Sequence, residues 1–157
     1  MTQREGYPVP FDGGPSRRFP WGSNASVANN MIVLGLAHDF TKERQFYEAL
    51  LDGLDYLLGR NPLRTSFVTG FGDHPVVQPH HRFWAKAKNA KYPEPPPGAL
   101  CGGPNTGLQD PVAQKQLRGC SPEKCWLDDI EAWSLNEVAI NWNAPLAWVA
   151  TYVNEKR

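Results

Sequence analysis

The stretch from about residue 63 to 133 limits this chain more than any other feature. Tyr92-Pro-Glu-Pro-Pro-Pro-Gly98 and Gly102-Gly-Pro-Asn-Thr-Gly107 lie inside it. Proline fixes φ and lacks an amide donor, so neither run sustains a long helix or a central strand. Loops of such length in a compact domain are uncommon, and are either functional or disordered. This one carries Trp84, Tyr92, Trp126 and Trp133, which favours an ordered, surface-building loop. Fifteen prolines and fourteen glycines in 157 residues extend the same character to the chain as a whole. Only Ser66-Phe-Val-Thr69 within it reads as a short strand.

Helices are expected on either side. Residues 1–22, rich in Pro, Gly and Arg, read as an extended lead-in. Ser23 or Asn24 then caps a helix to about His38, with Val27, Met31, Leu34 and Leu36 near helical spacing. Thr41 caps a second helix carrying Phe46, Leu50, Leu54 and Leu57 on one stripe. Gly59 stands at the C-cap position, and Asn61-Pro62 stops the chain. Two antiparallel helices joined by a short turn follow. Near the C-terminus, Pro145 is tolerated in a first helical turn and Asn143 is a good N-cap, which predicts a helix from Ala144 to Val153. Glu137 then lies upstream, on irregular or extended chain.

Sixteen basic and sixteen acidic residues balance, so no net field favours a nucleic acid or an anionic membrane. No apolar run approaches the roughly 20 residues of a membrane span, and Met1-Thr-Gln-Arg-Glu-Gly6 lacks the apolar core of a signal peptide. Of the three cysteines, Cys120 and Cys125 could close a small loop; Cys101–Cys120 is equally possible on paper. His74, His80 and His81 are distant from the cysteines and lack zinc-finger spacing.

Two segments carry the chemistry. WLDDIEAWSLNEVAINWNAPL, from Trp126 to Leu146, sets Asp128, Asp129, Glu131 and Glu137 among three tryptophans. Carboxyls can protonate a leaving oxygen or activate water, and aromatic faces stack on pyranose rings. The other is Pro79-His-His-Arg82, after Thr69-Gly-Phe-Gly-Asp-His74. Taken singly, each group also reads as a solvated acid face or a loop cap.

Together the two segments resemble the two signatures of glycoside hydrolase family 9, the cellulase family once called family E. Trp126, Asp128, Trp133, Glu137, Ala139, Asn143 and Ala144 satisfy one of them. Ser66, Val68, Thr69, Gly72, Pro79, His80 and Arg82 meet the other, which departs at His74. Arg18-Phe-Pro-Trp-Gly-Ser-Asn24, Tyr56-Leu-Leu-Gly-Arg-Asn-Pro62 and Gly102-Gly-Pro-Asn105 look like the family too, so the resemblance runs from about Tyr7 to Tyr152.

The resemblance implies an all-α fold, the C-terminal portion of an (α/α)6 six-hairpin barrel with long irregular loops, as one fragment over 1–157 with no second domain. It implies inverting hydrolysis of β-1,4-glucosidic bonds in cellulose or related glucans. Glu137 matches the general acid, Asp128 a second acid that orients or tunes the site, and His80 and Arg82 the sugar-contacting pair. Trp126 and Trp133 are candidate sugar-stacking rings. Calcium is frequent in the family, though no ligand can be assigned here and none is required for the reaction.

An inverting enzyme also needs a second carboxylate, roughly 6.5–9.5 Å from the acid. In such families it comes from an Asp-Ala-Gly-Asp motif, which this chain does not contain; Asp12-Gly-Gly14 is only an echo in the wrong place. The expected ligand is a β-glucan or cello-oligosaccharide, the parent enzyme extracellular, and the isolated chain a poor catalyst. Exposed barrel-facing helices would favour self-association or a missing N-terminal portion. The competing reading is a non-catalytic glucan-binding or inert fragment.

Overall fold

The computed structural model describes Tyr7 and residues 9–11, 13–16 and 18–156. Much of the lead-in over 1–22, Asp12 included, lies outside the described residues. The regular elements are α1 (Ser23–Thr41), α2 (Arg44–Leu57), α3 (Pro111–Gln116), a 3-10 turn (Pro122–Lys124), α4 (Trp133–Asn136) and α5 (Ile140–Glu155).

Helices α1 and α2 form the expected antiparallel pair. Met31 lies against Gly53 and Leu50 against Gly35, so numbering runs up one helix as it runs down the other. Both glycines let a bulky side chain approach the partner backbone. Val27, Ala28 and Met31 of α1 and Leu50 and Leu57 of α2 are buried there, while Leu36, expected on the stripe, turns to solvent. Helix α5 covers another side of α1. Trp148 packs on Gly35, and the Tyr152 hydroxyl sits 2.9 Å from the Gly35 carbonyl oxygen and 2.9 Å from His38 Nδ1.

The helix ends follow local chemistry in part. Gly59 adopts φ 121° just past α2; its N–H donates to the Tyr56 carbonyl and the Arg60 N–H to that of Asp55. That is a Schellman close, and only glycine takes the conformation without strain. The predicted caps are corrected. Gly22, not Ser23 or Asn24, holds the N-cap of α1, in the left-handed region at φ 79°. Ser23 and Asn24 are buried in the first turn, where they donate to the carbonyls of Pro104 and Cys101. Thr41 ends α1 instead of capping α2; its Oγ1 donates to Ala37 and accepts from the Glu43 N–H.

Ser66–Thr69 does not form a strand. Ser66 makes one isolated bridge with Pro75 and Val68 another with Leu100. Gly70 and Gly72, both at positive φ, turn the chain before a ladder can propagate. Among the described residues all β pairing is of this single-bridge kind, so the long loop is ordered by scattered backbone and side-chain bonds. Cys120 and Cys125 are bridged, with Cα atoms 5.3 Å apart, and Cys101 is a buried free thiol.

Candidate active site

The segment from Trp133 to Ala139 is held mainly by buried polar groups outside it. Asp110, fully buried, accepts from the Ser134 N–H at 3.1 Å and from its hydroxyl at 2.5 Å, while also capping α3 through the Ala113 N–H. Asn105 Nδ2 donates to the Ser134 carbonyl at 2.9 Å. Asn136 Nδ2 donates to the carbonyls of Leu127 and Asp129, at 2.6 and 2.9 Å. Unpaired buried polar groups are costly, so this network permits few alternative arrangements.

Glu137 follows α4 with extended backbone, φ −54° and ψ 141°, upstream of α5 as the sequence requires. The start of α5 differs from expectation. The helix begins at Ile140, so Pro145 is its sixth residue rather than part of a first turn. The intrahelical bond it removes falls on the Asn141 carbonyl, at an exposed position. Asn143 is no N-cap. Its side chain accepts from the Leu100 N–H at 2.7 Å and donates to the Leu100 carbonyl at 3.1 Å, tying α5 to the loop.

Glu137 and His80 are backbone neighbours through a parallel bridge. The His80 N–H donates to the Asn136 carbonyl at 2.8 Å, and the Val138 N–H to the His80 carbonyl at 3.3 Å. On the other side of Glu137, Gly102 N–H donates to its carbonyl at 3.0 Å. Residues 57 positions apart thus share one ridge. Among the described residues none bonds the half-buried Glu137 carboxyl. His80 Nδ1 lies 2.6 Å from the Ile130 carbonyl oxygen, which can only accept, so Nδ1 carries a hydrogen and, in the neutral ring, Nε2 is the acceptor. Arg82 is exposed and, among the described residues, makes no ion pair.

Asp128 holds this ridge from behind. Its two carboxylate oxygens accept the N–H groups of Val77 and Gln78, each at 2.8 Å. Burial pushes its carboxyl above the ordinary value, with help from Asp129, against the pull of the two N–H groups. Asp129 accepts from the Glu131 N–H, and Glu131 pairs with Lys88 at 2.7 Å.

The two predicted stacking rings part company. Trp126 is 5% exposed and edge-on against Phe67 at 5.2 Å, so it offers no free face to a sugar and belongs to the core. Trp133 is half-buried and lies 5.1 Å from the exposed ring of Trp21. Next to Trp21, Gly22 packs on Trp142, which also touches Gly102. Trp21, Asp110 and Asn136 were not singled out from sequence, because only distant contacts bring them here. A cavity of about 520 Å³ between α2 and α5, lined by Leu54, Phe71, Leu146 and Val153, holds no titratable group and lacks both Glu137 and His80.

This geometry has known parallels. Residues 2–150 match the sequence profile of glycosyl hydrolase family 9. The chain belongs to that family. It is 44% identical, over 98% of its length, to a cellulose 1,4-beta-cellobiosidase of Acetivibrio thermocellus, and spans 17% of that protein. It is 44% identical, over 90% of its length, to endoglucanase C of Cellulomonas fimi, and spans 13% of it. The solved structure of AaCel9A in complex with cellobiose-like isofagomine superposes with a TM-score of 0.78 at 37% identity, covering 87% of this chain and 26% of that one. The chain thus spans about a quarter or less of these relatives, and its helices are part of the family 9 (α/α)6 barrel. The glycoside hydrolase assignment made from the two signatures stands. Among the described residues no three His, Cys, Asp or Glu side chains gather into a group that could hold a metal ion. Among the described residues no helix is long and apolar enough to cross a membrane.

Proposed function

We propose that this chain is the acid-bearing part of a family 9 enzyme that hydrolyses β-1,4-glucans with inversion, acting outside the cell. Glu137 donates its proton to the leaving glycosidic oxygen. His80, through Nε2, accepts a hydrogen bond from one substrate hydroxyl, Arg82, through its guanidinium, donates to others, and Trp133 offers a ring face to a pyranose. Asp128 touches no substrate; it positions His80 through the 77–78 backbone. The observation that carries the reading is the parallel bridge between His80 and Glu137, which couples the proton donor to the sugar contact.

The water-activating base is not among this chain's motifs, so the chain supplies half of the reaction. Purified chain titrated with cellotetraose should bind it, shifting the His80 and Arg82 resonances, while releasing almost no reducing sugar. Glu137→Gln should leave that binding intact and abolish turnover in any longer protein that contains this chain. Robust hydrolysis by the chain alone, lost in Glu137→Gln, would overturn the half-site reading. Failure to bind any β-1,4-oligosaccharide would overturn the glucan reading. The apolar stripe of Val33, Leu36 and Phe40, at 64%, 45% and 85% exposure, supports self-association of the isolated chain, which light scattering measures directly. A clean monomer that melts cooperatively counts against it.

A further inference from the structure

Beside the ridge lies a second cavity of about 300 Å³, with Val77, Gln78 and Ile130 on one wall and Trp84, Lys86 and Glu94 on the other. That volume is at the lower end for ligand pockets, about 300–1,000 Å³. Its first wall is the back of the candidate site: Val77 and Gln78 hold Asp128, and the Ile130 carbonyl holds His80. The second wall is the loop after Arg82, drawn onto the acidic segment by the Lys88–Glu131 ion pair at 2.7 Å.

Trp84 is fixed rather than loose. One face is covered by His81, with ring centroids 3.9 Å apart and planes 22° apart, and the half-buried indole forms part of the cavity wall. Burial, and the neighbouring His80, lower the His81 pKa, which keeps a cation off the stacked ring. Lys86 and Glu94 pair at 2.6 Å, so the wall offers a donor and an acceptor without net charge. Gln78 can add an amide that does both. An aromatic ring beside balanced donors and acceptors suits an uncharged ligand with an apolar face and a rim of hydroxyls. A charged ligand would have to break the ion pair.

We propose that this cavity is an accessory glucosyl-binding subsite, with Trp84 as its stacking ring and Gln78, Lys86 and Glu94 as hydroxyl partners. It rests on the glucan reading of Glu137, His80 and Arg82, yet uses none of those residues. Titration of the isotope-labelled full chain with cellotetraose separates the two, because each set reports through its own resonances. The expected result is movement of the Trp84 indole N–H and the Gln78 side-chain amide together with His80 and Arg82. Trp84→Ala should weaken cellotetraose binding about tenfold, and Trp84→Phe, which keeps a ring face and the loop packing, by much less. Shifts confined to His80 and Arg82 overturn the subsite and leave the site reading standing. Shifts confined to Trp84 and Gln78 support the subsite and overturn the site reading. Shifts at neither set overturn both, and equal losses in Trp84→Ala and Trp84→Phe overturn the stacking role.

Discussion

Asp128→Asn separates a clamp from a reacting acid. Both oxygens of Asp128 accept backbone N–H groups at 2.8 Å. A hydrogen bond to a charged group contributes about 1.5–3 kcal/mol, so the pair contributes about 3–6 kcal/mol. Val77 is 61% exposed and its N–H regains water on release, which places the loss near the lower bound, about 3 kcal/mol. Asparagine replaces one acceptor oxygen by an NH2 that meets an N–H head on, so it should be no milder than alanine. At this chain length about 1 kcal/mol moves Tm by about 2–4 °C, and the variant should therefore melt about 6–12 °C lower. Because His80 lies two residues beyond Gln78, cellotetraose affinity should fall with it.

The pH dependence carries a sign. Burial raises the folded-state pKa of Asp128 above the ordinary carboxylate value, so in the window between the two the folded protein keeps a proton that the unfolded chain has lost. Ionisation there costs stability. The wild-type advantage over Asp128→Asn should be largest below the ordinary carboxylate range and shrink as pH rises through the raised value. Thermal melts from acid to neutral pH measure both effects. An Asn variant that melts and binds like wild type, with no trend in pH, refutes the clamp.

Asn136→Ala removes two bonds to the half-buried carbonyls of Leu127 and Asp129; urea denaturation should show a loss of about 1–3 kcal/mol, with weaker cellotetraose binding because the Asn136 carbonyl pairs with His80. Gly22→Ala places a Cβ 2.7 Å from the Trp142 ring at φ 79°, and should cost at least about 1–2 kcal/mol from backbone strain alone. The indole fluorescence of the folded variant should shift as Trp142 is displaced. Cys120→Ser opens the loop closed with Cys125, five residues along, and should lower stability by about 2 kcal/mol, read against a reduced wild-type control that shows the same loss.

Local rules placed what local chemistry decides. The close of α2 at Gly59 was legible because a Schellman motif is built within six residues. The position of Glu137 before a helix was also legible, although the helix-start reasoning erred. Asn143 and Pro145 look like a cap and a first turn, but Asn143 instead bonds the backbone of Leu100, 43 residues away, and α5 begins earlier. Ser23 and Asn24 failed as caps for the same reason, since each satisfies a carbonyl about 80 residues on. Trp126 shows the opposite error: a ring that looks suited to a sugar is used by Phe67 and the core.

The sequence by itself determined the helical class, the α1–α2 pair, the helix after Glu137 and the family, because periodicity, turn residues and signature spacing are written along the chain. Tertiary structure alone decided that Glu137 and His80 share a ridge, that Asp128 is a clamp, and that Asp110, Asn105 and Asn136 hold the acid-bearing turn. The physical reason is the long irregular loop. Without a repeating ladder its backbone groups must find partners one by one, often far away in sequence, and buried amides and carboxylates supply them. Such pairings leave no period to read.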